Sequence, residues 1–243
     1  MQFLSQFWSN QFAHSQRQTA LKRLLGYTPK NRVLYEKAFT HRSVNVKNDK
    51  GVAINFERLE FLGDSVIGTI VANFLFKSLE EDNEGELTRM KSKIVSREKL
   101  NAIGKDLNLL EHLICTGNKN NFKDDIHGNL LEALIGAVFI DKGYEKCKKV
   151  VFKIILDPYI SLDDVRKEII SYKGAMIEWG QKEKHKIEFI TTKENSRDDT
   201  INYQCHLHLN DSLLIKVREV SKKKAEEKAA KRAFKILKIK RDI

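Results

Sequence analysis

Proline and cysteine are scarce in this 243-residue chain, with 2 and 3 copies. So few prolines beside 41% hydrophobic residues rule out a disordered polymer and leave room for a sizeable core and one or two domains. Cys115, Cys147 and Cys205 are widely spaced, odd in number and form no C-x-x-C pair. Nothing there suggests a disulfide framework or a cysteine-based zinc or redox motif, and reduced thiols in a cytosol-like compartment are the expectation. No apolar run approaches the ~18 residues of a membrane span. Acid is also short: 33 Asp+Glu against 44 Lys+Arg leave a net charge of +11. Such a surface favours a polyanionic partner, nucleic acid ahead of an acidic membrane.

The shortage of acid is uneven. Residues 170–243 hold 18 Lys+Arg against 11 Asp+Glu, a net of +7, whereas residues 1–169 hold 26 against 22, a net of +4. No acid precedes Glu36. The segment Met1 to Ser15 carries Phe3, Leu4, Phe7, Trp8 and Phe12 at roughly helical spacing but lacks the basic start and unbroken apolar centre of a secretory signal. Two readings stand for it, a helix docked on the core and an organelle transit peptide; a cytoplasmic protein is the expectation.

From about Gln18 to Leu156 apolar residues recur at three- and four-residue spacings, the pattern of helices throughout. Asp49-Lys50-Gly51, Asp82-Asn83-Glu84-Gly85 and Lys142-Gly143 read as breaks. Asp157-Pro158 reads as the end of the last long helix, because proline disfavours helix at the residue before it. Ser161 to Ile170 is a polar linker or a short helix. Beyond it the pattern changes: a helix over Tyr172 to Glu183 with Ala175, Met176 and Trp179 inward, then strands over His185 to Thr192, Ile201 to Leu209 and Leu213 to Val220. Asn210-Asp211-Ser212 forms the turn between the last two. Ser221 then caps a helix over Lys222 to Leu237 that packs through Ala225, Ala229, Ala230, Ala233 and Phe234.

Two acidic islands interrupt the apolar helices. In Asn55-Phe56-Glu57-Arg58-Leu59-Glu60-Phe61-Leu62-Gly63-Asp64-Ser65, the three acids Glu57, Glu60 and Asp64 fall within roughly 60° on one helix face, at about 100° per residue. In Gly128-Asn129-Leu130-Leu131-Glu132-Ala133-Leu134-Ile135-Gly136, Glu132 shares a face with Asn129. Carboxylates beside a packed interior are costly unless paired, hydrogen-bonded or bound to metal. Several oxygen ligands without matching bases nearby in sequence point to a hard cation, Mg²⁺ with Mn²⁺ as substitute.

The first island resembles the signature of the ribonuclease III family of double-stranded-RNA endonucleases. The flanks agree: Ala38-Phe39-Thr40-His41-Arg42-Ser43, Glu84-Gly85-Glu86-Leu87-Thr88-Arg89-Met90-Lys91-Ser92, and the run from Glu132 to Asp141. The likeness extends from about Leu34 to Tyr144 and resumes at the C-terminus, where the α-β-β-β-α order and Ser221-Lys222-Lys223-Lys224-Ala225-Glu226 resemble a double-stranded-RNA-binding domain. A helix start offers N–H groups and a positive dipole end to phosphate. The loop Lys193 to Thr200 departs from many such domains by lacking Gly-Pro-x-His; it has Asn195, Ser196 and Arg197 instead.

The resemblance implies a multidomain chain: an all-α endonuclease domain with an N-terminal helical extension over residues 1–160, a linker over 161–170 and an α+β double-stranded-RNA-binding domain over 171–240. It implies metal-dependent hydrolysis of duplex RNA to 5′-phosphate and 3′-hydroxyl ends with short 3′ overhangs, in the processing of ribosomal and other structured precursor RNAs. Glu60, Asp64 and Glu132 match primary metal ligands, with Asp64 and Glu132 the catalytic pair, and Glu57 and Glu84 match positions that are either conditional ligands or groups lying outside the direct ligands. Asn129 stands where many members have Asp; it keeps a carbonyl oxygen but removes a negative charge, which lowers cation affinity. Lys222, Lys223 and Glu178 match RNA-binding positions, and Phe61 a contact across a homodimer. No membrane and no organic cofactor are implied. Plainer alternatives remain. Glu57 could pair Arg58 or Arg42, the three lysines could be solvated surface, and His41 is expected to make a structural hydrogen bond. The rival for the whole chain is a lapsed, binding-only protein of the same fold, to which Asn129 alone points.

Overall fold

The longest helices cross at two glycines, and that crossing organises the first part of the chain. In the computed structural model residues 11–123, 125–169, 171–195 and 201–239 are described, so Phe3, Leu4, Phe7, Trp8, Ser196 and Arg197 lie outside the described residues. The chain divides into two compact units, Met1–Val165 and Arg166–Ile243.

The first unit is helical: α1 Gln11–Leu25, α2 Arg32–Ala38, α3 Glu57–Ser78, α4 Glu84–Ile94, α5 Arg97–Asp106, α6 Ile126–Val151 and α7 Leu162–Lys167. Short polar side chains start several of them, since Asn31, Asn83 and Ser96 each accept a hydrogen bond from a backbone N–H of the first turn. Helix α3 buries Leu59, Val66, Ile67, Ile70, Val71 and Leu75, which pack on α6. A Cβ built on Gly63 would collide with the backbone carbonyl of Glu132, and one on Gly136 with that of Leu59. Only glycine lets the two backbones approach this closely. By length and composition α3 also resembles a membrane span, with a mean hydropathy of 1.5 over its most apolar window. Its apolar stripe instead forms the centre of the core.

Helix α6 breaks locally at Gly143 (φ 72°), where Lys142-Gly143 marks a break in the sequence. It does not stop at Asp157-Pro158. A π-helical turn over Phe152–Leu156 and a final turn over Asp157–Tyr159 carry it to Ile160. Proline here sits in the first positions of that last turn, where the lack of an N–H costs little. Within the stretch 161–170, α7 places Val165 in the core of the first unit, and the Lys93 ammonium donates to the Val165 carbonyl at 2.7 Å.

The second unit runs α8 Tyr172–Lys182, β1 Ile187–Asn195, β2 Ile201–Leu209, β3 Ser212–Glu219 and α9 Lys222–Ile236. Its sheet is antiparallel in the order β1-β2-β3, with Ile187 opposite Leu209 and Cys205 opposite Val217. Asn210 and Asp211 both take positive φ in the β2–β3 turn, which Asn and Asp tolerate best among side-chain-bearing residues. The alanine face of α9 (Ala225, Ala229, Ala230, Ala233) lets the helix lie close over Cys205, Leu207 and Val217. Glu227 on α9 caps α8, accepting from Ser171 Oγ at 2.9 Å, from Lys173 N at 3.3 Å and from Tyr172 N.

Candidate active site and nucleic-acid interface

Helical periodicity puts Glu57, Glu60 and Asp64 on one face of α3, and the glycine crossing brings Glu132 of α6 against that face. All four acids line one cleft of about 760 Å³, together with Asn129, Phe61, His41, Arg42, Arg97 and Asp125. Burial, followed by the charges of Asp64 and Glu60, pushes the Glu132 carboxyl up to about 7. Glu60 is raised by burial and then by Glu57, while Arg97 opposes the rise at both residues. The cause is shared: acids held near one another and partly out of water are short of positive charge.

That shortage is the test of fit for a cation. The oxygens are hard donors, the ionised forms of Glu60 and Glu132 are disfavoured where they stand, and a divalent ion would relieve both burial and repulsion. The acids face a shared space from two helices; among the described residues no three His, Cys, Asp or Glu side chains already close on one point.

The other expected residues are distributed as follows. Glu57 accepts from Asn55 Nδ2 at 3.1 Å and lies 3.7 Å from Arg42 Nη1, so its carboxylate is partly engaged by neighbours. Glu84 opens α4, accepts from Thr88 Oγ1 at 2.8 Å and is not among the residues lining the cleft. His41 Nδ1 accepts from Ser43 N at 3.1 Å, and its ring sits between Phe56 and Phe122. Burial and then Arg42 hold its pKa below the ordinary value. Phe61 is 78% exposed although α3 is otherwise a core helix. In the second unit Lys222 and Lys223 are exposed at the start of α9, after Ser221 has accepted from Lys224 N at 3.3 Å, and Glu178 is exposed on α8.

Sequence reasoning missed Arg97 and Asp125. Arg97 lies between the two islands in a charged stretch with no periodicity that marks it, and Asp125 precedes the second island by a turn. The packing of α5 on α6 brings Arg97 to the acids, whereas Asp125 caps α6 one turn before Asn129.

A helical domain with an acidic cleft, followed by an α-β-β-β-α domain, is the class that this architecture defines. Residues 31–159 match a ribonuclease-III-like family model and residues 172–237 match a double-stranded RNA binding motif. A Ribonuclease 3 of Zunongwangia profunda is 44% identical over 88% of this chain and 88% of its own length. A second, from Flavobacterium psychrophilum, is 42% identical over 88% and 87%. Among solved structures, the nuclease domain of ribonuclease III from Campylobacter jejuni matches at a TM-score of 0.52 and 31% identity, over 58% of this chain and 96% of that domain. The chain belongs to the ribonuclease III family.

Proposed function

We infer that the protein is an endoribonuclease that cleaves double-stranded RNA by metal-dependent hydrolysis. The observation that carries this reading is the meeting of Glu60 and Asp64 with Glu132 across the α3–α6 crossing, in a family member that also carries a double-stranded RNA binding motif.

Glu60, Asp64 and Glu132 are the residues that would hold the ion, with Asn129 offering a neutral oxygen beside them. Mg²⁺ is the ion we propose, with Mn²⁺ as substitute, because the donors are all oxygen. When bound, the ion supplies Lewis acidity for attack of water on the phosphodiester. The chain's own part is to gather the acids around that ion and to hold the strand against them. Products with 5′-phosphate and 3′-hydroxyl ends and short 3′ overhangs follow if two such clefts act on opposite strands. The exposure of Phe61, and of Phe76 at 70% on the same helix, supports a homodimer built on α3. In the second unit Lys222, Lys223 and Glu178 are the proposed RNA contacts. That domain raises the effective concentration of duplex at the cleft. Structured precursor RNAs, ribosomal ones included, are the proposed substrates. The free thiols Cys115, Cys147 and Cys205 support a reducing, cytoplasmic setting.

The test is cleavage of a long RNA duplex in Mg²⁺ by wild type, Glu132→Ala and Asn129→Asp, with both strands mapped. Staggered cuts by wild type that vanish in Glu132→Ala are expected, with a lower Mg²⁺ requirement in Asn129→Asp. Tight duplex binding without any cutting by wild type would overturn the reading in favour of a binding protein.

A further inference from the structure

The cleft holds a guanidinium that the cation-binding scheme does not use. Arg97 is the first residue of α5, and its position is fixed from several directions. Gly104 of α5 lies so close to the His127 carbonyl that no side chain fits between them. Asn101 Oδ1 accepts from Gly128 N at 2.7 Å, which ties the start of α6 to α5. The Asn101 amide in turn reaches Asp125 Oδ1 at 3.5 Å, and Asp125 Oδ2 accepts from Arg97 Nη1 at 3.2 Å. Asp125 stands one turn before Asn129 on the same face of α6, so it is held between an amide and the arginine at the edge of the acid wall.

We propose that Arg97 grips a phosphate of the RNA strand inside the cleft and that Asp125 is the residue that positions it. The inference rests on the reading of the cleft as an RNA-cleaving site. An ion pair with its arginine 73% exposed contributes little to stability. A guanidinium beside a divalent-cation site also opposes the binding of that cation, and becomes favourable once an anion arrives. Of its five N–H donors, Asp125 takes one, and among the described residues no other hydrogen-bond partner engages Arg97. The planar fork matches two phosphate oxygens at once. Asn129 suits this arrangement, because a neutral amide there leaves less negative charge to repel the phosphate.

The experiment uses the full chain and a defined RNA duplex, with binding measured without Mg²⁺ across a salt series and cleavage kinetics measured with it. In Arg97→Gln the slope of log affinity against log salt becomes shallower by about 1 per lost phosphate contact. KM rises about tenfold or more, and the Mg²⁺ needed for half-maximal rate does not fall. Arg97→Lys restores the salt slope and only part of KM, since the charge returns without the fork. Asp125→Asn keeps the slope and raises KM several-fold. An unchanged slope in Arg97→Gln, or a lower Mg²⁺ requirement at unchanged KM, would overturn the proposal and leave Arg97 as a charge balance for the acids. Glu132→Ala runs in parallel, binding with the wild-type slope and not cutting. If wild type itself fails to cut, the functional reading fails while the salt slope still decides the role of Arg97.

Discussion

Replacing Gly63 by alanine tests whether the helix crossing holds both the fold and the site. In an exposed helix this change would stabilise by about 1 kcal/mol, because glycine loses more backbone freedom on folding. Here the added methyl would fall inside the contact radius of the Glu132 carbonyl and 3.0 Å from the Gly136 nitrogen. Backbone atoms cannot rotate away as a flexible side chain can, so α3 and α6 must separate by on the order of 1 Å to restore ordinary contact. Overpacking of this kind costs ~1–3 kcal/mol, and the loss of core contacts between two long helices favours the upper end. The expected net is a loss of about 2 kcal/mol in urea unfolding. Activity should fall further than stability implies, because a displacement of roughly 1 Å across a catalytic cluster can cost about 100-fold. Gly136→Ala meets the Leu59 carbonyl in the same crossing. The double variant should therefore cost less than the two singles added, since one separation relieves both clashes. A Gly63→Ala protein that is more stable than wild type and cleaves normally would refute the reasoning.

Further expectations concern charge, association and capping. Glu132 binds a proton more readily folded than unfolded, so its contribution is favourable below its unfolded value of 4.5 and is lost as pH rises through about 7. At about 1.4 kcal/mol per pKa unit, and halved because the side chain is only partly buried, Glu132→Gln should stabilise the metal-free protein by ~1–2 kcal/mol at pH 8. Little gain is expected at pH 4, and equal gains in denaturant titrations at both values would contradict this. Phe61→Glu should shift the sedimentation of the full chain towards monomer and reduce cleavage in proportion; an unchanged dimer would move the interface off α3. Glu227→Ala removes the acceptor for three groups at the start of α8. It should lower the stability of the second unit by about 1–2 kcal/mol and weaken duplex binding, as hydrogen exchange in α8 and a binding titration would show.

Local features were legible in the chain. The strands, the Asn210-Asp211 turn and the Ser221 cap follow from alternation and side-chain chemistry that act over a few residues, and the structure agrees to within a few positions. The acids Glu57, Glu60 and Asp64 could be assigned to one face because helical periodicity is itself local. At Asp157-Pro158 the helix runs on to Tyr159, because the proline falls in the first positions of a short final turn, where its missing N–H costs little. Glu84 sits in a family-like stretch, yet its helix carries it away from the lining of the cleft.

The sequence by itself therefore determined which side chains share a face, how the chain divides into helical and sheet-bearing parts, and the family it belongs to. The tertiary structure decided which faces meet. Glu132 stands against Glu60 and Asp64 because Gly63 and Gly136 remove the side chains that would keep their helices apart. Arg97 reaches the cleft and meets Asp125 because Gly104 and Asn101 draw α5 onto the start of α6. Such meetings depend on the close approach of backbones far apart in the chain, a distance that no local spacing encodes.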